Sequence, residues 1–362
     1  MDHAKAWRSD AGGLKGNIES KNCHGIVLAA SEELSKEAHS MWQSIADRGR
    51  WRPGMPSKFP AGLAALNALK APARRFTGLT REIEPKIYGR VGNLEVRLAR
   101  TWAEIKLAQR LRYQVFYEEM SAVPTRLAQF RRRDEDAYDA LCDHLLVVDV
   151  DQTKPGRAGR PEKPKVVGTY RILRQEVAER GPGFYSASEY DISPLLRRMG
   201  STHRFMELGR SCVLAPYRSK RSVELLWHGL WTYVRENRVD VMIGCASFEG
   251  IDLQEHEMAL SFLHHRARAP EEWRCRARDR LYIPMDRMPF SDIDQKAALK
   301  AMPPLIKAYL RLGAYFGDGA VLDKQFGTTD VLVIMPVANI DPRYFEHYGT
   351  PTETKSRIAV DA

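Results

Sequence analysis

Apolar positions recur at two periods along this chain, and the order of those periods predicts its architecture. Residues 94–100 (LEVRLAR) alternate as a strand does and run into Thr101-Trp-Ala-Glu104, the spacing of a helix capping box. Ile105, Ala108, Arg112, Val115 and Phe116 then share one helical face. A charged loop, RRRDEDAYD, follows, and residues 144–150 read as the next strand. DQTKPGRAGRPEKP forms a hairpin loop, and VVGTYRIL is the returning strand. After a loop over 181–190 and a short helix ending near Met199, FMELGRSCVL predicts another strand.

Ser222 is placed to cap an amphipathic helix whose apolar face runs Val223, Leu226, Leu230 and Val234, with Trp227 and Trp231 packing on the sheet. VDVMIGCAS is a buried strand, and 253–264 a helix. The last third predicts a helix over 304–312, a glycine-rich turn (GAYFGDGA) and the strand DVLVIMPV. No internal repeat interrupts this order. The succession describes a mixed α/β sheet with helices on both faces, in one domain from 86 to 350. Residues 1–80, rich in Gly, Ser, Pro and charge, read as a basic, partly disordered extension, with Met41 and Met55 as alternative starts; residues 351–362 read as a flexible tail.

Composition changes this picture in three ways. No run approaches the ~18 apolar residues of a membrane span, and the N-terminus lacks the pattern of a secretory signal, so a cytoplasmic location is expected. Five dispersed cysteines with no CxxC pair suit reduced thiols, and without HExxH no metal site is expected. A net charge of +10 points to an acidic partner: nucleic acid, an anionic membrane or an acidic protein. Half of that excess lies in residues 1–80. A second concentration runs from 197 to 221, where Arg197, Arg198, Arg204, Arg210, Arg218, Lys220 and Arg221 face a single acid, Glu207.

Candidate chemistry concentrates in FMELGRSCVL. No GxSxG, P-loop or GxGxxG occurs, so nothing argues for a covalent nucleophile. Strands seldom hold Glu and Arg near their centre unless these are paired or functional. In strict alternation Glu207 and Arg210 would face opposite sides; a bulge at Gly209 would bring both to one face and free a backbone N–H. A carboxylate beside a free N–H meets two needs of acyl transfer to an amine: a proton acceptor and a donor for the carbonyl oxygen. A structural Glu–Arg pair explains the same residues, and the sequence leaves both readings open.

Asp136 and Asp139 could hold a cationic substrate or neutralise the arginines at 131–133. Arg171, inside an apolar strand, needs a partner, with Asp136, Asp139 or Glu207 available. PYRSKRSVELL places Arg218, Lys220, Arg221 and Ser222 at a helix N-terminus, where a phosphate could sit. No nucleic-acid motif or aromatic-interleaved basic stripe accompanies it.

LRYQVF (111–116), DEDAYD (134–139), GTYRIL (168–173) and ELGR (207–210), in that order, resemble the acyl-homoserine-lactone synthases. CDHLLVVD, ELGRSCV and the segment from PPLIKAYLRLGAYFGDG to DVLVIMPV are closer to the ornithine N-alpha-acyltransferases. The resemblance covers about 90–350 and implies a GNAT-like fold with an antiparallel-rich central sheet. It implies transfer of a 3-hydroxyacyl chain to the α-amine of ornithine, the first step of ornithine lipid synthesis. The donor would be phosphopantetheine on an acyl carrier protein, with no bound cofactor. The alternating glycines of a GNAT pyrophosphate loop are not retained in PYRSKR, which favours that carrier over coenzyme A.

By matched position, Arg112, Phe116, Asp136, Asp139 and Arg171 fall at the substrate, and Glu207 is the expected proton acceptor beside Arg210. Arg218, Lys220, Arg221 and Ser222 are expected at the carrier, and a lipid-like product makes peripheral contact with a membrane an accompanying expectation. Two alternatives stand: another acceptor, such as glycine or S-adenosylmethionine, or a basic protein that binds nucleic acid or anionic lipid without chemistry.

Overall fold

The computed structural model describes residues 86–341 apart from 121 and 155–162. The expected N-terminal extension, the C-terminal tail and the tip of the proline-rich hairpin loop lie outside the described residues.

Among the described residues ten strands form the sheet: β1 (Ile87–Val91), β2 (Leu94–Leu98), β3 (Asp143–Lys154), β4 (Lys163–Arg174), β5 (Tyr190–Asp191), β6 (Phe205–Val213), β7 (Val241–Glu249), β8 (Arg276–Ala277), β9 (Tyr315–Asp323) and β10 (Thr328–Pro336). Their spatial order is β1-β2-β3-β4-β6-β7-β10-β9-β8-β5. Adjacent strands are antiparallel except β6 with β7 and β8 with β9. The helices are α1 (Trp102–Tyr113), α2 (Arg126–Arg131), α3 (Gln175–Ala178), α4 (Ser193–Met199), α5 (Lys220–Asn237), α6 (Leu253–Ala267), α7 (Gln295–Ala301) and α8 (Pro304–Arg311).

Helices cover both faces. On one, α5 lies so close that a Cβ on Gly229 would meet Val96 Cγ2 at 2.5 Å. Tyr309 of α8 meets Tyr170 of β4 there, hydroxyl to hydroxyl at 3.0 Å, and Trp227 and Trp231 are buried in the same layer. On the other face α1 buries Ala108, Leu111 and Arg112, then loosens into a π-helical turn over Gln114–Glu119.

Four local expectations change. β2 is buried on both faces rather than alternating, because Arg97 pairs with Glu104 at 2.7 Å below the helix start. Thr101 caps α1 as expected, but the Glu104 carboxylate accepts from the N–H of Arg100, not of Thr101. The cap of α5 is Ser219, whose Oγ accepts from Ser222 N at 3.3 Å, so the helix starts before Ser222. GAYFGDGA is not a turn but most of β9. A Cβ on Gly317 would lie 3.2 Å from Cys275 O, and one on Gly319 (φ +90) would lie 2.5 Å from the Tyr282 ring. Those glycines make room for neighbours rather than reverse the chain.

Candidate active site

β6 pairs with β7 only from Phe205 to Glu207, opposite Val241 to Ile243. Past Glu207 a cleft opens, lined from the two strands by Leu208, Gly209 and Arg210 on one side and Cys245 and Ser247 on the other. Phe116 and Met120 from the end of the α1 region, Tyr138, Arg171, Tyr185 and Phe326 complete much of its wall. It encloses about 860 Å³, open mouth included.

The expected bulge is present one residue later than Gly209. Thr169 and Arg171 of β4 face Cys212 and Gly209 of β6, so β6 carries one residue more than its partner. Arg210 takes the left-handed backbone, with φ 51, while Gly209 needs no positive φ. A non-glycine residue held there is strained by about 1 kcal/mol or more and persists because its side chain is fixed elsewhere. As a result Glu207 and Arg210 both line the cleft.

Glu207 is buried, and its carboxylate accepts from the backbone N–H of Tyr185 at 2.5 Å and of Ser186 at 2.7 Å. These amides open the 3-10 turn Tyr185–Ser188. Burial raises the Glu207 carboxyl above its ordinary range; the bonds from Ser186 and Tyr185 and the nearby Arg171 hold part of that rise back.

Three arginines and three aspartates form a charged network beside it, of which Arg171 and Arg210 reach the cleft. Arg112, 0% exposed, pairs through Nε with Asp134 at 2.8 Å and through both terminal nitrogens with Asp139 at 2.9 and 2.8 Å. Arg171 Nη1 donates to both Asp136 oxygens at 2.7 Å and lies 3.3 Å from Asp139. Arg210 Nε lies 3.2 Å from Asp134, and its Nη2 donates to the Tyr185 hydroxyl at 3.1 Å. The Arg210 guanidinium also stacks between Tyr185 and Phe326, at 5.0 and 4.7 Å from their ring centres.

Burial pushes the Asp139 carboxyl up, but Arg112 and Arg171 outweigh it and leave the group well below the usual carboxylate range. Asp136 caps the turn Ala137–Ala140 in a capping box with Asp139. The two aspartates expected either to hold substrate or to balance arginine are thus engaged by Arg112, Arg171 and Arg210, and the arginines 131–133 turn to glutamates instead, as in Arg132 to Glu118 and Arg133 to Glu135.

Of the residues expected at the site, Phe116, Arg171, Glu207 and Arg210 line the cleft directly, while Arg112, Asp136 and Asp139 stand behind it. The expected carrier residues do not enter it. Arg218 pairs with Glu119 at 2.5 Å, Lys220 with Glu224 at 3.8 Å, and buried Ser222 bonds Ser219. Arg221 is exposed and reaches toward Gly92 at the β1–β2 turn.

Sequence reasoning passed over Tyr138, Tyr185, Glu189, Cys245, Ser247, Asp323, Phe326, Thr328 and Asp330, all of which line the cleft. Glu189 and Tyr185 sat in a loop, and Asp330 looked like the boundary of an apolar strand. Only the register Ser247↔Asp330 shows it facing the cleft.

A mixed sheet whose two central parallel strands part over a lined cleft is the fold of a GNAT-type acyltransferase, and residues 111–228 match the family model "Acetyltransferase (GNAT) domain". The L-ornithine N(alpha)-acyltransferase of Rhizobium meliloti (strain 1021) is 55% identical over 263 residues, 73% of this chain and 86% of that protein. That of Agrobacterium fabrum (strain C58 / ATCC 33970) is 53% identical over 267 residues, 74% and 89% of the two chains. The chain belongs to the L-ornithine N(alpha)-acyltransferase family. Among solved structures, the AHL synthase LasI is 13% identical with a TM-score of 0.37, covering 72% of this chain and 98% of its own, a likeness too distant to bear on the chemistry.

Proposed function

We propose that the cleft transfers an acyl chain, of the 3-hydroxyacyl type, from a carrier-borne thioester to the α-amine of ornithine, giving lyso-ornithine lipid. The observation that carries the chemistry is Glu207: a buried carboxyl, raised by its burial, in the cleft where β6 leaves β7. Ornithine arrives with both amines largely protonated at neutral pH. Glu207 takes a proton from the α-ammonium, directly or through water, and the free amine attacks the thioester carbonyl. The oxygen becomes negative in the tetrahedral intermediate and is held by backbone N–H groups of β6 at the bulge. That attack forms the C–N bond; collapse restores the carbonyl and breaks the C–S bond, and the second amine proton passes to the departing thiolate. Arg210 acts as a positioning residue: its bond to Tyr185 steadies the turn that Glu207 grips.

The donor is a phosphopantetheine thioester on an acyl carrier protein, which brings its own prosthetic group, so the enzyme requires no bound cofactor. The exposed Lys220 and Arg221 at the start of α5 suit an acidic carrier. Peripheral contact with an anionic bilayer fits Val123, Leu127 and Phe130, all exposed and Phe130 at 87%, among the cations of α2 and Arg132. No helix among the described residues is long and apolar enough to cross a membrane.

The test offers 3-hydroxyacyl carrier protein and 3-hydroxyacyl coenzyme A with ornithine, glycine and S-adenosylmethionine as acceptors. Carrier-dependent acylation of ornithine is expected. Preference for coenzyme A contradicts the donor, preference for another amine contradicts the acceptor, and an acyl-enzyme trapped by rapid quench contradicts direct attack.

A further inference from the structure

Two sets of carboxylates lie in and directly behind the cleft, and among the described residues only one forms ion pairs. Asp134, Asp136 and Asp139 are matched by Arg112, Arg171 and Arg210. Glu189, Asp323 and Asp330 line the same cleft at its β9–β10 end, and among the described residues none of them forms an ion pair with Lys, Arg or His. One oxygen from each lies within 4.8 Å of the other two. Asp330 is 7% exposed and Thr328 4%, and neither Asp330 Oδ1 nor Thr328 Oγ1 has a hydrogen bond of good geometry, although the Thr328 and Ser247 hydroxyls are near enough to ease the Asp330 charge in part.

A buried acceptor left without a donor costs about 1–3 kcal/mol unless a ligand supplies one. The backbone is fixed around the group: the buried Tyr190 hydroxyl donates to both Gly319 O and Asp330 O, at 3.1 and 3.0 Å. The Cys245 thiol donates to Glu189 at 3.2 Å and, held far above its ordinary pKa by burial, stays protonated and brings no charge of its own.

We propose that Glu189, Asp323 and Asp330, with the Thr328 hydroxyl, form the subsite for the side-chain ammonium of the amine substrate. Three convergent carboxylates meet the three N–H donors of a primary ammonium. The ion-pair partner that this end of the cleft lacks among the described residues is then brought by the ligand, which leaves the α-amine free for the Glu207 end. This assignment rests on the reading of the cleft as a diamino-acid site and adds the residues that separate ornithine from amino acids with uncharged side chains.

The test compares ornithine with norvaline, which has the same carbon chain without the δ-amine, in the wild type and in Asp330→Asn and Asp323→Asn. Binding is read by calorimetry and transfer by thiol release. The wild type is expected to favour ornithine by at least tenfold in kcat/KM. Each variant should raise the ornithine KM at least tenfold while kcat/KM for norvaline changes less than threefold. Norvaline turnover also reports whether a variant is folded, and a variant that has lost it is replaced by Glu189→Gln.

Wild-type enzyme that accepts norvaline as readily as ornithine overturns the proposal. So do variants that keep the ornithine KM within twofold, or ornithine binding that depends on an added divalent cation and is lost in EDTA. A wild type that acylates neither amine overturns the functional reading itself, whereas acylation of ornithine with unaltered discrimination in the variants overturns the subsite alone.

Discussion

Asp139 and Asp330 are both buried carboxylates in one domain, and their surroundings push them in opposite directions. For Asp139 burial is outweighed by Arg112 and Arg171, and its folded pKa lies below the unfolded one. Its stabilisation is therefore present above the ordinary aspartate range, ~3.9, and is lost as pH falls below it. Asp139→Asn should cost about 3 kcal/mol or more at pH 7, because it leaves the buried Arg112 half-paired, and should flatten the acid side of the stability curve. Urea unfolding between pH 3 and 7 measures both.

For Asp330 burial comes first and the repulsion of Glu189 second, and they raise the carboxyl to about 7. The unfolded chain ionises this group near its ordinary value while the folded protein does not. Stability is lost progressively as pH rises from that range to about 7 and stays lost above it. Unliganded Asp330→Asn should melt about 4 °C higher than the wild type at pH 8 and no higher at pH 4, as read by calorimetry. A gain in stability paired with weaker ornithine binding is the pattern of a site strained for its ligand.

At the scale of elements, the periodic strands and helices were legible because their buried faces repeat, as α5 shows from Leu226 to Val234. β1 was not, since five residues at an edge carry too little pattern, and β9 was not, since its glycines serve close approach rather than a turn. The bulge in β6 was legible to within one residue. Glycine was the natural choice for a left-handed position, yet the structure spends that strain on Arg210, whose side chain is locked between Tyr185, Phe326 and Asp134.

In an exposed helix Gly→Ala stabilises by about 1 kcal/mol. At Gly229 the added methyl would meet both γ carbons of the stiff Val96 side chain, at 2.5 and 3.1 Å. Gly229→Ala should therefore destabilise by about 1–3 kcal/mol, the range of overpacked cores. Pairing it with Val96→Ala should recover part of the loss, which a double-mutant cycle in urea would measure.

For the whole molecule, the candidate site divides into a part that local sequence could suggest and a part that only topology assembles. ELGR carries its two functional-looking residues three positions apart, so Glu207 and Arg210 stood out at once. Glu189, Asp323 and Asp330 come from three segments spread over more than a hundred residues, and no spacing rule connects them. The exposed apolar residues of α2 belong to this scale too, because their meaning depends on a lipid product. Phe130→Asp with Leu127→Asp should weaken co-sedimentation with vesicles containing phosphatidylglycerol at least fivefold, with transfer between soluble substrates unchanged.

The central claim is that Glu207 accepts the proton that the attacking amine gives up. Glu207→Gln keeps the shape of the side chain but offers an amide where Tyr185 or Ser186 presents an N–H, so Glu207→Asp, which retains a carboxylate, is the necessary companion. The decisive measurement is kcat against pH for acyl transfer from 3-hydroxyacyl carrier protein to ornithine in the three proteins. The wild type and Glu207→Asp should lose rate as pH falls through a raised carboxyl pKa, while Glu207→Gln should be slower by about 100-fold or more with no such acid limb. A Glu207→Gln enzyme that keeps near wild-type kcat, with its acid limb intact, would contradict the account.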